Sequence, residues 1–212
     1  MPTEVEAKFR ADGPGPLSLL AAVPTLGRAI LGAATTVTEV DRYLDTAGDR
    51  LAAALWACRL RARGGNIRVS LKGPAEATSG AWLHRRPELE GPATESLHPG
   101  DWPESEARAF LDELRQGESL VERFELRQRR TERAVTIEET ALGVLSLDAV
   151  EVHRDGRGLG ELFMVELELS GEGDAEGVRH LQGLAEALEQ RPGLSADPRT
   201  KLEHALELLG SR

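Results

Sequence analysis

The chain has 212 residues and a net charge of −10, with 36 acidic against 26 basic side chains, so bulk attraction to nucleic acid or to an anionic membrane is not expected. Its length suits one β-rich domain over residues 1–212 with no dividing linker, no apolar run reaches the length of a membrane span, and the N-terminus lacks the basic and apolar regions of a signal peptide. One cysteine, Cys58, excludes an internal disulfide and any zinc-type cysteine spacing, which makes a soluble cytoplasmic protein the expectation, with its five scattered histidines (His84, His98, His153, His180, His204) at the surface.

Glu4 to Phe9 alternates charged and apolar residues, which on a strand puts Glu4, Glu6 and Lys8 on one face and Val5, Ala7 and Phe9 on the other. Carboxylates so spaced can hold a hard divalent cation with an ammonium beside it. A solvated edge strand has the same pattern, so what matters is whether later strands repeat it. A turn follows at Asp12 to Pro16, then a short helix over Leu17 to Leu26, then extended chain from Ala29 to Val40. Asp41, Tyr43 and Asp45 next share one face of an alternating stretch.

Arg59, Arg61 and Arg63 are spaced by two, Gly64-Gly65-Asn66 makes a hairpin turn, and Arg68, Ser70 and Lys72 alternate on the return. Like charges across paired strands repel, so this hairpin calls for an anion between them. Lys8, Lys72 and Lys201 are the only lysines in an arginine-rich chain, which marks them as positions where a compact ammonium is wanted rather than a planar guanidinium.

Arg86, Glu88 and Glu90 form a further alternating set. Glu104 to Gln116 has helical periodicity, and Leu120 to Ile137 returns to strand with Arg127, Arg129 and Arg133 on one parity and Arg130 on the other. Val144 to Val152 carries Asp148. Leu162 to Ser170 mirrors the first strand, with Glu166 and Glu168 on one face. Asp174 is a candidate N-cap for a helix to Gln190, and a last helix begins near Pro198 and contains Lys201. Seven or eight strands with charged shared faces, plus helices for their apolar faces, predict an α+β, mainly β architecture: an antiparallel tunnel-like barrel with a charged lumen and helices packed outside. Mixed charges of this density suit a short phosphate chain and a divalent metal.

Taken together, these motifs resemble the CYTH domain, also called the triphosphate tunnel metalloenzyme family, nearly end to end. The resemblance rests on Glu4-x-Glu6-x-Lys8, Asp41-x-Tyr43-x-Asp45-Thr46, Arg59-x-Arg61, Leu71 to Pro74, Arg86-x-Glu88-x-Glu90, the arginine-rich run Arg127 to Thr131, Asp148, and Glu166-x-Glu168. Cys58 stands where the family has an apolar residue, and Thr200-Lys201 replaces its Ser-Lys.

The resemblance implies eight antiparallel strands, a triphosphate-bearing small-molecule substrate, and Mg²⁺ or Mn²⁺. It implies that Glu4, Glu6 and Glu168 hold one metal, and that Asp148, Glu166 and Glu88 or Glu90 hold a second that activates water. Arg59, Arg61, Lys72, Arg129 or Arg130, and Lys201 would bind phosphates, and Lys8, paired with Tyr43, would polarise the water or bind phosphate. Inorganic triphosphate is the first substrate expected. Thiamine triphosphatase and class IV adenylyl cyclase are the rival enzymes, and a non-catalytic polyphosphate-binding module is the rival of another class. Trp56 is expected to face away from the lumen, while Trp82 and Trp102 remain candidates for a tunnel mouth. One tyrosine and four phenylalanines offer little for stacking nucleic acid. A homodimer is left open.

Overall fold

The computed structural model describes residues 1–76, 82–171 and 173–210. Eight strands close on themselves. They are β1 (Thr3–Ala11), β4 (Thr35–Thr46), β5 (Ala57–Arg63), β6 (Asn66–Lys72), β7 (Leu83–Pro92), β8 (Leu120–Ile137), β9 (Thr140–Arg154) and β10 (Arg157–Leu169). The order β8-β4-β5-β6-β7-β1-β10-β9 returns to β8, and every pairing is antiparallel. The expected eight-stranded barrel is therefore present. Short strands β2 (Thr25–Leu26) and β3 (Ala29–Leu31) extend β8, and β11 (Leu194–Ala196) pairs with β1.

The outward faces are apolar and covered. Helices α1 (Pro14–Ala22) and α4 (Ala175–Glu189) lie with Val5, Ala7, Phe9, Leu145, Val165 and Leu167 in one core. Helices α2 (Arg50–Ala53) and α3 (Glu106–Arg115) cover Cys58, Leu60, Val69 and Leu71 in another. The thiol of Cys58 is fully buried in that core, so Cys58 fills its apolar position as a small hydrophobe. Trp56 meets Phe110 edge-on, with ring centroids 4.7 Å apart. Trp102 is buried in the same core and donates to the Ser96 carbonyl, and Trp82 packs beside the first core. Trp82 and Trp102 thus pack in these cores, and neither lines the lumen cavity.

One boundary differs from expectation. The first helix begins at Pro14 and ends at Ala22, because Pro at the first turn suits a helix start; Thr25–Leu26 then pairs as a strand with β3. Ahead of β5 comes α2, whose start Asp45 caps by accepting from the backbone N–H groups of Leu51 and Ala52. Asp45 is consequently a helix-capping residue and does not face the lumen chemistry.

Helix α5 (Lys201–Gly210) has a different place from the other four. Along three strands the inward parity turns from charged to apolar: Arg130 to Leu126 and Phe124, Asp148 to Val150 and Val152, and Glu166 to Met164 and Leu162. Those apolar residues form a third core with Tyr43 and with Leu202, Ala205, Leu208 and Leu209 of α5. The helix therefore closes one end of the barrel, each buried large side chain contributing about 1.5–3 kcal/mol.

Candidate functional site

The unfilled part of the lumen is a cavity of about 250 Å³. Glu4, Glu6 and Lys8 of β1, Tyr43 of β4, Arg59 and Arg61 of β5, and Lys72 of β6 line it. Glu88 and Glu90 of β7, Arg130 of β8, Glu166 and Glu168 of β10, and Lys201 of α5 complete the set expected from the sequence. Asp148 also points inward but is fully buried beneath Arg130 and Lys201.

Arg129 does not belong here. It is exposed on the outer face, whereas Arg130 is buried and faces inward. No bulge intervenes: Arg129 and Arg130 pair in regular succession with Thr38 and Val37. Arg133, on the outer parity, is also buried, because α1 and β3 cover the barrel there; it donates to the carbonyls of Leu20, Ala21, Val23, Leu31 and Gly32.

The charges are organised in three groups. In the first, Glu4 accepts from Lys72 at 2.5 Å and from Arg86 at 2.8 Å, and Glu6 meets Lys8 at 2.7 Å and Arg86 at 3.3 Å. Glu88 binds Ser70 at 2.6 Å and Lys72 at 3.3 Å, while Glu90 is exposed beside Arg68. In the second, Arg130 forks onto Asp148 at 2.8 and 2.7 Å and reaches Glu166 at 2.9 Å. Lys201 meets the same two carboxylates at 2.6 and 2.8 Å. In the third, Arg61 forks onto Asp41 at 2.7 Å through both nitrogens, and buried Glu39 gathers Arg63, Arg61 and Gln128.

Burial opposes ionisation throughout, and the partners decide the outcome. Lys72 and Arg86 hold Glu4 well below the usual carboxylate range despite its burial. Arg59 and Arg61 do the same for Asp41, held at about 2 against the cost of burial. Lys201 and Arg130 hold Asp148 and Glu166 down against their burial. Burial lowers the Lys8 ammonium, with Glu6 opposing. Glu168 goes the other way: burial first, then the neighbouring Glu4 and Glu6, push it up to about 7.

Arg59 stands apart. It is 9% exposed, its closest acceptor is Asp41 at 3.4 Å, and its buried Nε has no partner. A guanidinium carries five donors, and leaving them buried and unmatched is costly. This one faces the cavity, so an anion there would satisfy it.

The carboxylates of the first strand and of β10 are candidate metal donors. Glu4, Glu6 and Glu168 are hard oxygen donors on adjacent strands, with Glu6 directly opposite Glu168, and the crowding that raises Glu168 is what a divalent cation relieves. They fit such an ion in chemistry. Among the described residues no three His, Cys, Asp or Glu side chains converge at metal-holding positions; Glu4 and Glu6 are instead engaged by Lys72, Arg86 and Lys8. Asp148 and Glu166, two members of the second ligand set expected from the sequence, are each paired with two cations of the chain.

Arg86, the head of the Arg-x-Glu-x-Glu set, bridges Glu4 and Glu6, a role that the spacing alone does not reveal. Glu39 shares parity with Asp41 and Tyr43, a signal that could have marked it. Two of the five histidines depart from the expected surface placement: His84 and His204 are 5% and 2% exposed.

Comparison with known proteins agrees with this geometry. The CYTH domain family matches residues 2–204. A Hippeastrum protein, described as an adenylyl cyclase candidate with a dominant triphosphatase activity, superposes with a TM-score of 0.68 at 21% identity, covering 96% of this chain and 95% of the other. An adenylate cyclase candidate from Bacillus halodurans gives 0.60 at 19% identity, covering 96% and 98%. The Mimivirus capping-enzyme triphosphatase gives 0.50 at 10% identity, covering 89% of each chain. At these identities the likeness is one of fold. No curated protein matches the chain.

Proposed function

Since the chain belongs to the CYTH family, we propose that it is a metal-dependent triphosphatase that releases the terminal phosphate of a triphosphate, with inorganic triphosphate as its first substrate. The observation that carries this reading is the unmatched buried guanidinium of Arg59 facing a closed-ended charged cavity.

In this reading Arg59, Lys72, Arg130 and Lys201 bind the phosphate oxygens and neutralise charge that develops on transfer. Substrate oxygens would compete with Glu4 for Lys72 and with Asp148 and Glu166 for Lys201. Glu4, Glu6 and Glu168 would hold Mg²⁺ or Mn²⁺, which when bound adds a hard positive charge at the phosphate oxygens. Lys8, its ammonium pKa lowered by burial and beside Glu6, would orient the attacking water or bind a phosphate oxygen through its N–H donors. Tyr43 lines the same wall, stacked on Phe124 with ring centroids 4.7 Å apart, which fixes its ring in place.

One observation favours a second reading. A mainly apolar cavity of about 580 Å³ adjoins the lumen and shares Tyr43, Lys72, Arg86 and Leu202 with it. A triphosphate bearing an organic group, such as ATP or thiamine triphosphate, could rest that group there.

Phosphate release from inorganic triphosphate, thiamine triphosphate and ATP, with Mg²⁺, with Mn²⁺ and with chelator, tests both. Metal-dependent release fastest from inorganic triphosphate supports the first reading. Cyclic AMP and pyrophosphate from ATP would move the assignment to a cyclase. Tight triphosphate binding without turnover would make the protein a binding module.

A further inference from the structure

Outside the cavity lies a buried polar cluster that neither the phosphates nor a metal would touch. Asp197, His204 and His84 are 3%, 2% and 5% exposed. The Asp197 carboxylate accepts from His204 Nε2 at 2.6 Å and from the backbone N–H of Arg199 at 3.0 Å. Its backbone N–H donates to the Lys8 carbonyl at 3.1 Å. Its carbonyl accepts from His84 Nε2 at 3.0 Å. One residue thus ties together β1 at Lys8, β7 at His84 and the first turn of α5.

Lys201 leaves that same turn. It lies three residues before His204, so the two share a face of the helix, and its ammonium is 6% exposed between Asp148 and Glu166. The rest of the buried face of α5 is Leu202, Ala205, Leu208 and Leu209 against other apolar side chains, contacts that would tolerate a small slide or rotation. A buried hydrogen-bonded polar pair does not, and fixing register is its best-attested use. Thr200 and Glu203 add a reciprocal capping box, with Thr200 N–H donating to Glu203 at 2.6 Å and Glu203 N–H to the Thr200 hydroxyl at 3.2 Å. A box of this kind starts the helix but does not anchor it to the barrel. The Asp197–His204 pair does.

We propose that Asp197 and His204 are positioning residues: their hydrogen bond sets the register of α5 and so holds the Lys201 ammonium at its place in the lumen wall. The kinetic consequence rests on the triphosphatase reading; the positional claim does not.

The chain has only three lysines, so acetylation by an N-hydroxysuccinimide ester, followed by peptide mass, reads each one separately. His204→Phe keeps a ring and removes the donor; His204→Gln places an amide N–H near the position of Nε2. In His204→Phe, Lys201 should acetylate about tenfold faster than in the wild type while Lys8 stays protected, and kcat/KM for inorganic triphosphate should fall about tenfold or more, as when a supporting hydrogen bond is lost. His204→Gln should behave as wild type in both. Adding His204→Phe to Lys201→Ala should cost nothing further, because the two act through one ammonium. If His204→Phe does not fold, His204→Asn, whose amide falls short of Asp197, replaces it. Unchanged Lys201 acetylation, or kinetic losses that multiply in the double variant, overturns the proposal. If the wild type neither binds nor cleaves inorganic triphosphate, the functional reading falls, and the acetylation pattern still decides the positional one.

Discussion

Glu6 of β1 and Glu168 of β10 stand directly opposite each other across an antiparallel ladder, a placement in which like charges repel. Glu6 has Lys8 and Arg86 as partners, whereas Glu168 is held protonated up to about pH 7 by burial and then by Glu4 and Glu6. A cation must displace that proton. Mn²⁺ affinity, measured by calorimetry, should therefore rise about tenfold between about pH 6 and about pH 8, bracketing the Glu168 pKa of about 7. The sign for folding is opposite. A carboxyl whose folded pKa is raised stabilises the fold at low pH and loses that contribution as pH rises through about 7. The metal-free protein should lose Tm across that window, and Glu168→Gln should lose less.

Arg59 and Arg61 neighbour each other on β5 but should fail differently. Arg61 forks onto buried Asp41 at 2.7 Å. Arg61→Met strips that carboxylate of its main partner and should cost about 3–5 kcal/mol in urea unfolding. Arg59 has one long contact and an unmatched Nε. Arg59→Met should leave stability within about 1 kcal/mol of wild type or raise it, while weakening inorganic triphosphate binding about tenfold or more. Equal loss of stability in both would remove the distinction.

Arg129 and Arg130 give a sharper contrast, one residue apart. Arg129→Ala changes an exposed outward side chain and should leave stability within about 0.5 kcal/mol and turnover unaltered. Arg130→Ala leaves Asp148 and Glu166 with Lys201 alone and should cost about 3–5 kcal/mol, with turnover lost. Normal turnover in Arg130→Ala would exclude it from the site.

The alternation of Glu4-Glu6-Lys8, Arg59-Arg61 and Glu166-Glu168 was enough to read the barrel and most of its wall, because a two-residue period assigns faces without tertiary knowledge. The choice between Arg129 and Arg130 was not legible: both faces of β8 carry arginines, and which one points inward depends on strand pairing. The plugged end was half-legible. Arg130-x-Gln128-x-Leu126-x-Phe124 changes character along one parity, but only contact with Leu202 and Ala205 of α5 explains it. The Asp197–His204–His84 cluster was out of reach, since Asp197 and His204 meet only once the start of α5 is folded and His84 joins them from β7, far off in the chain.

Gly143 offers a test that starts from the backbone. It pairs with Leu169 on β10, and a Cβ placed on it would lie 1.9 Å from the Glu168 carbonyl oxygen. Backbone cannot yield as a flexible side-chain tip can, so Gly143→Ala must push β9 and β10 apart beside Glu168. The expected loss is about 1–3 kcal/mol in urea unfolding, together with weaker Mn²⁺ binding, because Glu168 would leave its place opposite Glu6. Gly183 is the control. It is exposed within α4, with nothing within 4 Å of its added Cβ, and Gly183→Ala should stabilise the protein by about 0.5–1 kcal/mol through helix propensity while leaving Mn²⁺ binding alone. If Gly143→Ala matched Gly183→Ala in both measurements, the close approach of β9 to β10 would have no part in holding Glu168.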